Sequence, residues 1–319
     1  MNQLRQGNVI YQGIGLAVLA TVLWSGNFVV ARGLFESIPP VSLAFYRWLL
    51  ATLIIFPFAY KYFRKEWRVV RSSWNYLFWA ALTGIALFNT FVYIGARYTS
   101  AINLALIGTT SSPIIAVILA RIFLKEQIGA RKIIGITLCV VGILYLLCQG
   151  NFRNLLTLQF TEGDLWVLLA GLSFAIYNTM VRRKPSGISA LNFLFVLFAL
   201  GTLMLLPFFI YETATSPAIH WDVPIVTSIL YLGIAASVIS FLVWNMAIGK
   251  LGAGRTALFG NLIPIFSSLE AFFILNESFT WVHAVSMILV FVGIIIANWG
   301  GEYRFSQSRK DSQSQFSQK

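Results

Sequence analysis

The sequence predicts an all-α integral membrane protein: ten transmembrane helices arranged as two inverted five-helix repeats. Three observations carry that prediction. Of 319 residues, 58% are hydrophobic and 11% charged, less than half the charged share of an ordinary soluble domain. The apolar residues fall in runs of about 20, the length that crosses a ~30 Å hydrocarbon core as a helix. Landmark residues in the first half also recur about 150 positions later.

The runs cover approximately residues 12–31, 41–60, 74–96, 101–123, 131–149, 164–181, 189–211, 224–248, 255–275 and 281–299. Segments such as 133–147 are apolar on every side, which excludes the in-out alternation of a barrel strand. The first run is long enough to span and carries Trp24 and Asn27 near its end, so it reads as a retained span and not as a cleaved signal. The Ser/Gln-rich residues 302–319 read as a disordered tail.

Charge orients the spans. The chain has 23 Lys and Arg against 11 Asp and Glu, a net charge of +12. Connections alternate between two compartments, and nearly every basic residue falls on one side: Arg5; Lys61 to Arg71; Arg121 to Lys132; Arg182, Arg183 and Lys184; Lys250 and Arg255; and the C-terminal tail. Only Arg32, Arg97 and Arg153 fall on the other side, and Arg47 lies inside a span. Positive loops stay cytoplasmic, so both termini are expected in the cytoplasm. The basic residues then face anionic lipid, and no nucleic acid is needed to account for them.

The repeat rests on five matches: Arg32 with Arg182, Pro57 with Pro207, Pro113 with Pro264, Glu126 with Glu277, and Gly142 with Gly293. Each unit, 12–149 and 164–299, contains five spans. An odd number inverts the second copy in the membrane. Inverted halves can exchange conformations and open a central site to either face, so the expected activity is alternating-access transport.

Intramembrane polar groups are costly and mark candidate pathways. Arg47 and Glu270 are the ionisable acid and base well inside spans, each roughly 8–10 Å from the outer helix end by helical rise. Equal depth allows them to pair. In the functional reading Glu270 binds a substrate ammonium or a coupling proton, and Arg47 sets its charge or holds a substrate carboxylate. In the structural reading the two form an intramembrane pair, or Arg47 snorkels outward.

The neutral substrate-binding candidates are Trp24 and Asn27, Asn89 and Tyr93, Asn103 and Ser111, Tyr177 and Asn178, Trp244 and Asn245, and Asn261 with Ser267. They supply donors and acceptors beside aromatic walls, though Ser and Thr also bond back to their own helices and Asn can join helices together. Pro113 and Pro264, near the middles of spans four and nine, are expected to kink them and serve as hinges. Glu126 and Glu277 stand at helix ends, where loop pairing or capping is expected.

The Trp24-Ser25-Gly26-Asn27 stretch, Ala44-Phe45-Tyr46-Arg47, Pro113 followed by Leu124-Lys125-Glu126, and Gly135 with Gly142 resemble the EamA-like branch of the drug/metabolite transporter superfamily. The resemblance covers about residues 12–299. It implies ten helices in two inverted halves and the export or exchange of small metabolites, commonly amino acids and their derivatives. It also implies a bacterial plasma membrane. The pattern thins in the second half, where Leu197 stands in Arg47's place and Ser286 in Gly135's.

Other classes fit less well. His220 and His283 lack the context of a catalytic triad or a metal cluster. Cys139 and Cys148 lie too far apart along one helix for a disulfide, and no cofactor or metal is expected. Gly252, Gly254 and Arg255 lack the strand a phosphate loop requires. A facilitative channel-like uniporter would advertise a filter or charged rings. It remains the alternative together with a multidrug exporter, and a membrane-embedded enzyme comes last.

Overall fold

The computed structural model describes residues 2–124, 129–151, 153, 161–181, 184–251, 256 and 259–298. Glu126 and Lys125, Arg182 and Arg183, Gly252 to Arg255 and residues 302–319 lie outside the described residues. The helices are α1 (Asn2–Gly33), α2 (Pro40–Ser72), α3 (Trp74–Gly95), α4 (Ala101–Leu124), α5 (Ala130–Leu147), α6 (Glu162–Val181), α7 (Ala190–Thr215), α8 (Val223–Ile248), α9 (Ile263–Leu275) and α10 (Trp281–Asn298). Among the described residues there is no strand.

Among the described residues six helices are long and apolar enough to cross a membrane: α1, α2, α3, α6, α7 and α8. Shorter apolar stretches lie at Ile133–Leu147, Gly260–Leu275 and Trp281–Ile296. Large apolar side chains such as Phe58, Leu203, Phe208, Phe273 and Ile288 are exposed, as they are where the solvent is lipid and not water. The chain is a multi-pass membrane protein.

Contacts divide the chain into two compact units, residues 1–125 with 158–279, and residues 126–157 with 280–319. Each unit draws on both sequence halves. In the larger one α1 packs on α8 and α9, α6 on α3 and α4, and α2 on α7.

Three helix starts in the larger unit are met by carboxylates distant in sequence. Pro39 is extended and Pro40 stands in the first turn of α2, where the missing proline N–H costs nothing. The next amides have a donor but no partner in their own helix. Glu212, near the end of α7, accepts from Val41 N at 3.2 Å and from Ser42 N at 2.6 Å. Glu66, near the end of α2, returns the arrangement at the start of α7, accepting from Ser189 N at 3.0 Å and from Asn192 Nδ2 at 2.7 Å. At α4, Glu277 accepts from Ala101 N at 2.8 Å and from Ile102 N at 3.2 Å. Amides left bare in a membrane would cost several kcal/mol each.

Two features differ from the sequence expectation. The basic segment 61–71 was expected in a connection, but it continues α2, because Lys, Arg, Glu and Trp without Gly or Pro sustain a helix. Helices α3 and α8 each widen into π-helix at matching places, Leu82–Leu87 and Tyr231–Ile239. Such insertions have no sequence signature and cluster at functional sites.

In the smaller unit α5 packs along α10. Ser286 Oγ donates to Gly142 O at 2.7 Å, and Cys139 Sγ approaches Val290 O at 3.5 Å. A Cβ on Gly293 would come within 2.6 Å of Gly135 O and 2.9 Å of Cys139 N. Backbone cannot swing aside as a flexible side chain can, so Gly293→Ala is expected to push the two helices apart and destabilise this unit by about 1–3 kcal/mol. Faster proteolysis within 130–147, with wild-type cleavage elsewhere, checks it.

Candidate functional site

Two polar centres lie on opposite sides of α1. Ser25 and Asn27 are two residues apart, about 200° around a helix, so one hydroxyl and one amide address different neighbours.

On the Asn27 side is Arg47 of α2, which is 3% exposed. Its Nη1 donates to Asn27 Oδ1, to Asn89 Oδ1 at 2.8 Å and to Tyr93 Oη at 2.9 Å. Its Nε donates to Ser237 Oγ at 2.9 Å, and Nη2 reaches Ala236 O at 3.4 Å. Tyr93 in turn donates to Asn27 Oδ1 at 2.9 Å, and the guanidinium carbon lies 4.6 Å from the Trp48 ring centroid. Every hydrogen-bonding partner is neutral. The guanidinium thus joins α1, α2, α3 and the π segment of α8, and three of the expected substrate ligands, Asn27, Asn89 and Tyr93, serve as its acceptors.

On the Ser25 side is Glu270 of α9. Its Oε1 lies 2.7 Å from Ser25 Oγ, at hydrogen-bond distance, and its Oε2 is buried with no hydrogen-bond partner. Among the described residues Glu270 and Arg47 do not bond each other, so the pairing allowed by equal depth is not made; α1 stands between them. Tyr231, in the π segment of α8, donates to Leu23 O at 2.7 Å and lies within electrostatic range of both charges.

On α9 and α4 three further buried side-chain oxygens lack partners: Ser267 Oγ, Thr110 Oγ1 and Asn103 Oδ1. Helices α4 and α9 pack together, and the Glu277 cap brings the end of α9 to the start of α4. Counting inward from that cap at ~1.5 Å per residue puts Thr110, Ser267 and Glu270 within about one turn of a common depth. Ser267 and Glu270 are three residues apart, on one helix face. Unsatisfied buried groups are rare and call for an explanation.

Aromatic rings flank α1. Trp24 packs on Phe241 with centroids 5.4 Å apart and on Trp244 at 4.9 Å. Trp244 also lies beside Gly260, in the 3₁₀ turn Gly260–Leu262 that holds the half-buried Asn261. That turn precedes Pro264, which stands in the first turn of α9; proline offers no N–H to the carbonyl four residues back, and the helix narrows where that bond is missing. Pro113 lies within α4, which is helical from Ala101 to Leu124.

The remaining candidates sit apart from Glu270. Tyr177 is buried on α6, its ring 5.7 Å from Phe174, with half-buried Asn178 beside it in sequence. Ser111 Oγ turns to Gly108 O at 3.5 Å. Asn245 is exposed and donates to Phe241 O at 2.9 Å. Ser25 and Ser237 escaped selection as site residues because single serine hydroxyls on apolar helices are commonly satisfied by their own backbone, and Tyr231 carries no local signal that sets it apart.

Known proteins give the geometry its context. The chain is 27% identical over 286 residues to a protein from Archaeoglobus fulgidus named an uncharacterized transporter, covering 88% of this chain and 95% of that one. It is 26% identical to the uncharacterized transporter YyaM of Bacillus subtilis, over 87% of this chain and 90% of the relative. A protein of Escherichia coli named a probable amino-acid metabolite efflux pump is 22% identical, over 91% of this chain and 95% of that protein. A solved structure shares the fold at 16% identity with a TM-score of 0.61, covering 91% of this chain and 96% of its own. The model of the EamA-like transporter family matches residues 11–148 and 161–299, and the chain belongs to that family.

Proposed function

We propose that this transporter is a secondary carrier that moves small organic metabolites, amino acids or their derivatives, in the export direction by alternating access. The observation that carries the reading is Glu270 Oε2, buried without a hydrogen-bond partner on α9, the helix that packs on α1 and α4, with the unpartnered Ser267 Oγ one turn away on the same helix face. A cation, either a substrate ammonium or a proton, satisfies such a set, and the Trp24, Phe241 and Trp244 rings offer an apolar wall on α1 and α8. The efflux pump named above lends support to amino-acid metabolites as cargo.

Ten spans in two inverted halves are part of the same proposal. Contacts of the larger unit interchange when each helix is replaced by its counterpart five helices on: α1 with α8 becomes α6 with α3, and α1 with α9 becomes α6 with α4. The π segments of α3 and α8 and the reciprocal Glu66 and Glu212 caps follow the same exchange. The basic connections favour a plasma membrane with both termini cytoplasmic.

Counterflow tests the mechanism. Proteoliposomes preloaded with an unlabelled amino acid are expected to accelerate uptake of the same labelled amino acid, across a panel that includes aromatic and aliphatic members. Uptake that ignores the preload marks a pore and overturns the carrier reading.

A further inference from the structure

The hydroxyl of Ser25 has one hydrogen and two close oxygens. Ser25 Oγ lies 2.7 Å from Val22 O and 2.7 Å from Glu270 Oε1, and Ser25 is fully buried. Both separations are those of well-formed O–H···O bonds. If Glu270 were a carboxylate it could offer no hydrogen, and the single hydrogen of Ser25 would have to serve two acceptors. If Glu270 is a carboxylic acid, its own O–H donates to Ser25 Oγ while Ser25 donates to Val22 O. Each short contact then contains one hydrogen. Only the weaker acceptor role of Oε2 stays unmet, which costs far less than an unpaired buried charge.

We propose that Ser25 is the positioning residue that holds Glu270 as a neutral acid in this conformation, through a hydrogen-bonded chain from Glu270 to Ser25 to the Val22 carbonyl. This inference rests on the carrier reading for its consequence but not for its test. When the carboxyl gives its proton to water, the hydrogen of Ser25 turns from Val22 O to Oε1, and the new carboxylate keeps a charge-assisted donor. One proton leaves, one negative charge appears, and the unpartnered Oε2 is then open to a cation. Val22 O keeps its place in the helix ladder throughout, so the turn requires no movement of the backbone.

The groups around this chain leave the exchange to Glu270 itself. From α1, Arg32 lies seven residues beyond Ser25, about two turns or ~10 Å along the helix, and donates to Ala96 O at 2.8 Å. From α8, the Tyr231 hydroxyl is engaged with Leu23 O. Across α1, the Arg47 guanidinium is held by Asn27, Asn89, Tyr93 and Ser237 and makes no bond to Glu270. On the connection after α9, Glu277 is bound to the amides that start α4. Among its described side chains α4 presents no titratable group to Glu270.

Infrared difference spectra of the full purified chain, collected across pH in wild type, Glu270→Gln, Ser25→Ala and Ser25→Thr, test the chain directly. A protonated carboxyl C=O band is expected at neutral pH in wild type and absent from Glu270→Gln. In Ser25→Ala it moves to the position of an acid that donates no hydrogen bond. Ser25→Thr, which keeps a hydroxyl, restores it. Alanine is the best helix former, so Ser25→Ala keeps α1 folded, which circular dichroism verifies. Absence of a Glu270-dependent band at neutral pH, or a band that Ser25→Ala leaves in place, overturns the proposal. Loss of counterflow with the band intact overturns the carrier reading alone.

Discussion

Arg47→Ala is expected to lower folded yield and thermal stability, and not only activity. The guanidinium donates to Asn27, Asn89, Tyr93 and Ser237 from one buried point. Removing it leaves Asn89 Oδ1 and Ser237 Oγ without that donor and empties a volume at the junction of four helices. Each buried group stripped of its partner costs about 1–3 kcal/mol, so two or more consume a large part of a typical 5–15 kcal/mol stability. Lysine does not substitute, because one ammonium cannot stand in for a planar fork that addresses Ser237 with Nε and the Asn89 side with Nη1. Size-exclusion profiles and melting temperatures in detergent decide the matter. A variant that folds with wild-type stability yet fails to transport would assign Arg47 to the cargo instead.

Glu270→Gln is expected to give the opposite signature. Glutamine is nearly isosteric and its carbonyl can accept from Ser25, so the fold and the α1 to α9 contact survive. What disappears is the ability to release a proton and present a negative charge to a cation. A charge-assisted hydrogen bond is worth about 1.5–3 kcal/mol, which corresponds to a loss of about 10- to 100-fold in exchange rate or affinity. Counterflow measured beside folded yield separates the readings. Parallel loss of both would make Glu270 a structural residue.

Much of this architecture is legible in the amino acids because the bilayer leaves few choices. Apolar runs of spanning length have no alternative to helix, and Arg47 and Glu270 stand out because charge inside such runs is rare. Asn27, Asn89 and Tyr93 are equally visible as intramembrane polar groups, yet their partner is a side chain on another helix, and no local spacing reveals that it is Arg47. Ser25 looks like any helical serine until α9 is laid beside it. The π segments at Leu82–Leu87 and Tyr231–Ile239 arise from how α3 and α8 pack, and the run of basic residues at 61–71 reads equally well as an anchor in a loop or on a helix.

The carboxylate caps have a consequence for how the protein is made. The opening amides of α2 wait for Glu212 and those of α4 need Glu277, while at α7 Glu66 holds the capping residue Ser189 and the Asn192 side chain. A ribosome delivering the chain from its first residue therefore leaves α2 and α4 unfinished in lipid until glutamates encoded more than a hundred residues later emerge. Splitting the gene between the halves should yield two fragments that are each degraded when expressed alone and that survive when produced together.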